Sequence, residues 1–378
     1  MFFLFWLTLI GTVFSYFIYP IILKMIPSRV KTQIVRSEAA GLIKMTFIIT
    51  AYNEEQRIKE KLINTLAIDY PENNLEIIVA SDCSTDDTDQ IVKSYADMGI
   101  RLVRADDHKG KEYAQLCAIR EASGEILVFS DVATKIEPNA LKLLAEHFKD
   151  EKVGAVSSED RFVSQDGSVV GEGAYVKYEM WLRRLESQRA GLVGLSGSFF
   201  AARREVCEEW DIYSPSDFNT ALNCAKKGLI AVSSSDVVGI YSDVKDSSLE
   251  YRRKLRTIIR GITAISRHTE VLNPLNMGMF SFQVWSHKML RWAVPWFMGL
   301  LLIASFALFG EHWFYSVVLL AQLIFYGIVL AGHFSSALRE HTLVKIPYFF
   351  VQVNLAIARA TIMFAMGQRM TTWTPSKR

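Results

Sequence analysis

The 378-residue sequence lacks an excess of charge of either sign, because 42 Lys and Arg balance 40 Asp and Glu. A nucleic-acid-binding protein usually has a strongly basic domain, so the sequence predicts no nucleic-acid partner. Cysteine is also scarce, and the four cysteines form no CxxC pair. This spacing argues against a disulfide scaffold and a structural zinc site, and it predicts reduced thiols that serve in packing.

Charge is absent altogether from residues 1–23. At 1.5 Å per residue, a helix of this length crosses a hydrocarbon core of roughly 30 Å. The stretch has neither the basic start nor the small-residue cleavage site of a signal peptide, so the sequence predicts an uncleaved membrane anchor. Lysines and arginines follow it between residues 24 and 36, and the positive-inside rule places the next segment in the cytoplasm.

Long apolar runs return late in the chain and predict two further spans, at 293–310 and 313–332. The last run, 346–366, carries Gln352 and Arg359 on one helix face, and an arginine at the bilayer centre costs about 2.5–3.5 kcal/mol. A span there would also export the basic tail, so a re-entrant or interfacial helix is preferred and a true span is the alternative. The predicted segments are an anchor at 1–23, a basic linker at 24–44, an α/β domain at 45–245, amphipathic interfacial helices at 246–292, two spans within 293–332, a third apolar helix at 343–368 and a basic tail at 369–378.

Between the apolar ends, short β-branched runs alternate with amphipathic helical stretches. This alternation predicts an α/β fold with a mostly parallel sheet, in which ligands bind beyond the C-terminal ends of the strands. The predicted strands are MTFIIT, LEIIVAS, IRLVR, EILVFS and VGAVSS, with helical patterns near 55–67, 86–97, 111–122 and 137–148.

Polar segments follow four of these strands: AYNEE, DCSTDDT, ADDHKGK and SDVAT. Helix capping accounts for single residues such as Asn53 and Ser84. Capping does not account for Asp82 and Asp131, which both close buried apolar strands, where an unpaired carboxylate is costly. The four segments together predict a nucleotide site.

The motifs as a set resemble the family-2 glycosyltransferases of the GT-A fold, of the bacterial membrane-associated kind. The resemblance rests on TAYNEE, ASDCSTDDT, the GK pair at Gly110–Lys111, FSDVAT, LSGSFFAARRE, SDF at 216–218, YRRKLRT at 251–257 and HKMLRW. It implies a Rossmann-like GT-A domain on the cytoplasmic side of the cell inner membrane, with transmembrane helices at both ends of the chain.

The resemblance also implies a donor site and a metal. The nucleotide-sugar, with a UDP-sugar expected, would be bound by Thr50, Ala51, Tyr52, Glu54, Asp82, Lys111, Ser130 and Asp131. Asp131 stands where the family has its metal-binding DxD motif, so it would hold Mg²⁺ or Mn²⁺ with its hard oxygens. Val132 and Ala133 replace the second ligand here, so the donor phosphates would have to complete the shell, and a metal-free site is the alternative.

For the acceptor side, the resemblance implies that Asp217 is the catalytic base; helix capping is the competing explanation. Ser196 and Gly197 would let a sugar approach the backbone, unless they form a simple tight turn. Arg252, Arg253 and Arg256 would bind the diphosphate or acceptor, or else lipid headgroups. Processive relatives have QxxRW in this region, and the missing Gln and Trp favour the addition of a single sugar.

The expected activity is inverting transfer of a hexosyl or N-acetylhexosaminyl group to a polyprenyl-diphosphate-linked glycan at the membrane, in the synthesis of cell-surface polysaccharide. A processive polysaccharide synthase and a polyprenyl-phosphate sugar synthase are the enzymatic alternatives. From another class, the incomplete DxD motif leaves open an inactive scaffold subunit for glycan assembly.

Overall fold

The computed structural model describes residues 1–28, 43–163, 174–242 and 247–370. The predicted basic linker therefore lies largely outside the described residues, as does most of the basic tail. The chain divides into two compact units. One consists of Met1–Met25, Ser247–Ile262 and Phe282–Arg369, and the other contains the sheet.

The sheet has eight strands in the order β3-β2-β1-β4-β7-β6-β8-β5. All five predicted strands are present, and β5, β7 and β8 are additional. The first four neighbours, β3 to β4, pair in parallel, whereas β7 runs antiparallel to both β4 and β6. The strands are β1 Met45–Ala51, β2 Leu75–Ser81, β3 Ile100–Arg104, β4 Ile126–Asp131, β5 Lys135–Ile136, β6 Val153–Val163, β7 Phe199–Arg203 and β8 Ile230–Ser242.

The continuous apolar run of β1 is explained by its burial on both faces, since all seven of its residues are buried. Phe47 and Ile49 belong to one apolar core, and Ile48 points into a second core on the other face. The predicted mostly parallel α/β fold is confirmed. The helices connecting the strands are Ile58–Leu66, Thr88–Lys93, Lys111–Glu121, Ala140–Phe148, Ala174–Ser187 and Ser216–Lys226.

Direction reverses at β7, and this places chemically different segments at one edge of the sheet. The first residue of β7, Phe199, pairs with Ser130 at the end of β4. On its other side, Phe200 pairs with Ser157 of β6. The segment before β7 therefore lies beside the C-terminal end of β4 and the middle of β6.

Among the remaining helices, four stretches have the length and composition to cross a membrane: Phe2–Met25, Met279–Ala307, Trp313–Phe334 and Thr342–Ala365. In the first unit, the Phe5 ring packs edge-on against Phe314 and Tyr315, and Lys254 lies over the ring of Phe349. The helices outside the sheet are Phe2–Val13, Tyr19–Met25, Ser247–Arg267, Pro274–Met277, Met279–Val284, Leu290–Ala307, Trp313–Phe334, Ser336–Glu340 and Thr342–Ala365, with π-helical turns at Phe14–Ile18 and Trp285–Met289.

The predicted division into segments stays a prediction, and the structure differs from it at the boundary expected before the second span. The sequence separates an interfacial helix ending at 292 from a span beginning at 293, whereas Met279–Ala307 is a single candidate span. Whether Thr342–Ala365 crosses the bilayer or re-enters stays a prediction. All four cysteines are free, and Cys207 and Cys224 are buried, as expected for packing residues.

Candidate active site

Polar side chains collect where β1, β2 and β4 end, at one edge of the parallel part of the sheet. Tyr52, Asn53 and Glu54 follow β1, Asp82 follows β2, and Asp131 is the last residue of β4. We call Tyr52, Asp82, His108, Lys111 and Asp131 the donor cluster. Because parallel neighbours end on the same side, three separate predicted motifs meet here.

Asp82 is the most buried member of the donor cluster, with an exposed fraction of 0%. Its Oδ1 accepts hydrogen bonds from the backbone N–H groups of Lys109 and Gly110, both at 3.1 Å. Its Oδ2 lies 2.9 Å from Nδ1 of His108. Burial raises the pKa of Asp82, while the Gly110 N–H and the imidazole of His108 act in the opposite direction.

His108 is a member of this site that the sequence reasoning missed. Its ring stacks on Tyr52 with centroids 4.1 Å apart and planes 15° from parallel. Only its position in ADDHKGK, two residues before the GK pair, could have indicated it. His108 Nδ1 thus lies against the Asp82 carboxylate, which has no exposed surface in this structure.

The loops after β1 and β2 are tied to each other. The Asn53 Oδ1 accepts from the Thr85 N–H at 2.8 Å, and the Glu54 N–H donates to Thr88 Oγ1 at 2.8 Å. The buried Glu54 carboxylate accepts a hydrogen bond from Nε of Arg57 at 2.8 Å. Burial raises the pKa of Glu54 and the charge of Asp131 adds to this, while Arg57 opposes both.

Lys111 joins Asp131 to the segment before β7. Gly110, with a φ of 103°, turns the backbone so that the next helix begins at Lys111. The Lys111 Nζ lies 2.5 Å from Asp131 Oδ1 and 2.8 Å from the carbonyl oxygen of Gly197. The buried ammonium thus neutralises Asp131 and fixes the position of Gly197.

Gly197 lies in turn against Asp217. A Cβ atom added at Gly197 would lie 3.4 Å from Asp217 Oδ2, an ordinary van der Waals distance, so the two residues are neighbours. Asp217 is in the first turn of Ser216–Lys226, and its carbonyl oxygen accepts from the N–H of Leu195 at 3.2 Å. The structure therefore brings together four residues singled out from separate motifs: Asp131, Lys111, Gly197 and Asp217.

A second group of side chains lies beside these four residues. We call Ser157, Asp160, Ser196, Ser198 and Tyr241 the hydroxyl cluster. Ser196 Oγ donates to Asp160 Oδ1 at 2.6 Å, and Ser198 Oγ lies 3.1 Å from the hydroxyl of Tyr241. The Ser196 N–H donates to Ser157 Oγ at 2.7 Å. Burial raises the pKa of Tyr241, and the negative charge of Asp160 adds to it. Only Ser196 of this cluster was predicted.

Three of the residues that were predicted to bind the nucleotide-sugar are buried. Thr50 and Ala51 are buried within β1, and the carbonyl oxygen of Ala51 accepts a hydrogen bond from the Asp82 N–H at 2.9 Å. Ser130 is buried as well, and its hydroxyl accepts a hydrogen bond from Lys61 at 2.7 Å. These positions fit residues that shape the site from beneath.

Arg252, Arg253 and Arg256 lie on Ser247–Arg267, in the part of that helix that belongs to the apolar unit. Arg252 is exposed, and the other two are half-buried. Arg260, four residues beyond Arg256 on the predicted cationic face, is buried. The role of these arginines toward a diphosphate stays a prediction.

For a divalent cation, the donor cluster offers the Asp131 carboxylate, whose side chain is 32% exposed. In the part of the chain that the structure describes, no group of three His, Cys, Asp or Glu side chains is placed to hold a metal ion. A cation here would therefore need ligands from the donor itself.

Residues 46–211, which include the donor cluster, match the model of glycosyl transferase family 2. A poly-β-1,6-N-acetyl-D-glucosamine synthase of Staphylococcus epidermidis is 26% identical over 189 residues, which cover 48% of this chain and 45% of that protein. The region that contains the donor cluster is therefore similar to the family-2 glycosyltransferases. The corresponding synthase of Staphylococcus aureus is 27% identical over 175 residues, 44% of this chain and 42% of that protein. The chain therefore spans less than half the length of these relatives.

The fold of the chain also resembles a solved structure along most of its length. A mannosyltransferase from Pyrobaculum calidifontis, in complex with GDP-Man and Mn²⁺, has a TM-score of 0.73. The likeness covers 97% of this chain and 99% of that chain, at 22% sequence identity. It confirms the predicted GT-A fold.

Proposed function

We propose that the protein transfers a hexosyl or N-acetylhexosaminyl group from a nucleotide-sugar to a lipid-linked glycan, with inversion at the anomeric carbon. The observation that carries the proposal is the row of contacts from Asp131 through Lys111 and Gly197 to Asp217. One carboxylate would then lie on the donor side and the other on the acceptor side, with the buried ammonium of Lys111 beside the first. An inverting displacement needs a base opposite the leaving group, and this row supplies both ends.

In this mechanism Asp217 removes the proton from an acceptor hydroxyl. The hydroxyl oxygen forms a bond to the anomeric carbon while the bond from that carbon to the diphosphate oxygen breaks, and the nucleoside diphosphate leaves with the electron pair. A positioned base contributes about 10²–10⁴-fold to such a step. Lys111, whose ammonium lies beside Asp131, would neutralise part of the departing charge.

The donor site would use the same residues that the resemblance implies. Tyr52 and Glu54 would contact the nucleobase and ribose, with Asp82 becoming accessible when His108 moves. Thr50, Ala51 and Ser130 would act from beneath through backbone placement. Arg252, Arg253 and Arg256 would add cationic forks for the diphosphate or for the phosphates of the acceptor.

The single carboxylate of Asp131 fits a divalent cation only together with the donor phosphates, because the described residues offer no complete set of ligands. Mg²⁺ or Mn²⁺, when bound, would neutralise part of the diphosphate charge. We therefore propose that nucleotide and cation bind together and weakly when alone.

A processive polysaccharide synthase is the second candidate, because the curated relatives are named as polymer synthases. Against it, Arg253 and Thr257 stand where the processive motif QxxRW has Gln and Trp. Mass spectrometry of lipid-linked product under excess donor separates the two. One added sugar per acceptor supports single transfer, and a ladder of products supports the synthase.

The four apolar helices associate the protein with a membrane, and we propose that the sheet-containing unit faces the cytoplasm. If Thr342–Ala365 does not span, residue 376 is cytoplasmic. A cysteine introduced by Ser376→Cys in a cysteine-free background should then react with an impermeant thiol reagent only after the cells are permeabilised. Labelling of intact cells would show a true span instead.

Transfer itself is tested by incubating membranes that contain the protein with a panel of radiolabelled nucleotide-sugars and extracting the lipid fraction. Label should enter lipid-linked glycan with one donor, and UDP-sugars are the first to try. Membranes carrying Asp217→Asn are the matched control. Donor binding without transfer to any lipid would favour the scaffold alternative and overturn the proposal.

A further inference from the structure

Beneath the turn that carries Asp131 lies a lysine that no motif singled out. Lys61 is on the helix Ile58–Leu66, and its exposed fraction is 2%. Its Nζ donates to Ser130 Oγ at 2.7 Å and to the carbonyl oxygen of Thr134 at 2.6 Å. The aliphatic and aromatic core is close by, with the Phe47 ring centroid 5.4 Å from the same nitrogen.

The two acceptors of Lys61 lie on either side of Asp131. Ser130 immediately precedes it, and Thr134 closes the turn that follows, where the Thr134 N–H donates to the Asp131 carbonyl oxygen at 3.2 Å. One ammonium group thus ties both ends of the turn to the same helix. The donor-side carboxylate projects from a segment that is held at two points by a single side chain.

The same helix also begins directly after the loop that follows β1. The Ile58 N–H donates to the Glu54 carbonyl oxygen at 2.8 Å, so the first turn of the helix is joined to the loop after β1. Three residues beyond Lys61, Asn64 binds Ile136 through both backbone groups, at 3.0 Å to the N–H and 2.9 Å to the carbonyl oxygen. Asn64 provides a natural control, because it holds the same segment five residues beyond Asp131.

A lysine is an expensive choice for this position if packing is its only role. Burying a cation costs more than burying an apolar side chain of the same length, even when hydrogen bonds are made. Burial lowers the pKa of Lys61 to about 7, and the negative charge of Asp131 opposes that shift. Methionine would fill the same space without this cost.

We infer that Lys61 is a positioning residue of the donor site, which holds the Ser130–Thr134 turn so that the Asp131 carboxylate faces the diphosphate and its cation. The inference rests on the proposed function. It assigns to Lys61 no contact with substrate, and its effect passes through Asp131.

The test compares Lys61→Met with Asn64→Leu and Lys59→Met, the last being an exposed lysine on the same helix. Titration calorimetry measures UDP affinity with Mn²⁺ and with EDTA, and thermal unfolding in detergent gives the Tm. For Lys61→Met we expect about a tenfold loss of UDP affinity in Mn²⁺, little change in EDTA, and an unchanged or raised Tm. For Asn64→Leu we expect a lower Tm with wild-type UDP affinity, and for Lys59→Met neither change.

Wild-type UDP affinity in Lys61→Met would overturn the inference, as would an equal, Mn²⁺-dependent loss of affinity in folded Asn64→Leu. If Lys61→Met does not fold, Ser130→Ala decides, because it removes one acceptor and should lower affinity in Mn²⁺ by a smaller factor; unchanged affinity there overturns the inference. Failure of the proposed function shows separately, as wild-type protein that binds UDP but transfers no sugar.

Discussion

The donor cluster and the hydroxyl cluster lie along one edge of the sheet, and their carboxylates have partners of different kinds. In the donor cluster, Asp82 lies 2.9 Å from His108 Nδ1, and Asp131 lies 2.5 Å from Lys111 Nζ. In the hydroxyl cluster, Asp160 accepts hydrogen bonds from Ser196 at 2.6 Å and from Ser198 at 3.3 Å. One cluster is held by nitrogen bases and cations, the other by hydroxyl groups.

The difference fits the two parts of a nucleotide-sugar. A diphosphate is negatively charged. The ammonium of Lys111, which pairs with the Asp131 carboxylate, would also interact with phosphate oxygens. A sugar is neutral, and hydroxyl groups both donate and accept hydrogen bonds, so a serine and tyrosine network is able to rearrange around it. We therefore expect variants in the donor cluster to change nucleotide and cation binding, and variants in the hydroxyl cluster to change sugar recognition alone.

The largest effect should come from Asp217, at the end of the row and outside both clusters. Asp217→Asn keeps the size of the side chain and its ability to cap a helix but removes the proton acceptor. Transfer should fall about 10²-fold or more, while UDP affinity and Tm stay at wild-type values. A scintillation assay of lipid-linked product measures the first and calorimetry the second. Near-normal transfer with at most a small change in Tm would mean that Asp217 only caps the helix.

The next effect tests the charged side of the comparison. Asp131→Asn removes the one carboxylate offered to a cation, so UDP affinity in Mn²⁺ should fall to the value measured in EDTA, by about tenfold. The measurement is a pair of calorimetric titrations for each protein. If the wild-type protein binds UDP equally well in Mn²⁺ and in EDTA, this prediction is wrong and the metal-free site is favoured.

A smaller effect tests the neutral side. Tyr241→Phe removes one hydroxyl from the hydroxyl cluster, and a net hydrogen bond is worth roughly 0.5–1.5 kcal/mol. We expect the KM for the nucleotide-sugar to rise by about 2–10-fold, while the affinity for UDP, which has no sugar to recognise, is unchanged. Tyr213→Phe, which alters an exposed tyrosine outside both clusters, is the matched control. A parallel loss of UDP affinity in Tyr241→Phe would break the proposed separation.

The two clusters also differ in how far the sequence reveals them. Asp82 and Asp131 each follow a strand recognisable from its apolar run, and parallel strands in chain order end on the same side. Their meeting was therefore predictable. Asp160 and Tyr241 come from β6 and β8, and Ser198 immediately precedes β7. The pairing of these strands is partly antiparallel and out of chain order, and no local pattern indicates that the three residues meet.

Lys61 and His108 were missed for another reason. A lysine in KEKL looks like part of a solvated helix face, since nothing local shows that Lys59 is exposed and Lys61 buried. His108 lies in a polar loop, and only its contact with the buried Asp82 gives it a distinct place. In both cases tertiary burial, which hydrophobic periodicity does not report for long polar side chains, decides the role.

The smallest predicted effect concerns pH and compares the cation beneath the donor cluster with an uncharged replacement. Burial lowers the pKa of folded Lys61 to about 7, from the ordinary lysine value of about 10.5 in the unfolded chain. Between these values the unfolded chain binds more protons, so the contribution of Lys61 to stability rises with pH. Below pH 7 the lysine is charged in both states, and the cost of burying its charge is fully present.

Methionine carries no proton, so the Tm advantage of Lys61→Met over wild type should be larger at pH 6.5 than at pH 9.5. A domain of this size shifts its Tm by about 2–4 °C for each kcal/mol, so the change in this difference is measurable by thermal unfolding in detergent. Lys59→Met again serves as control and should show the same small difference at both pH values. A Tm difference for Lys61→Met that is constant across this range would mean that Lys61 does not lose its proton there, and that Asp131 keeps it charged.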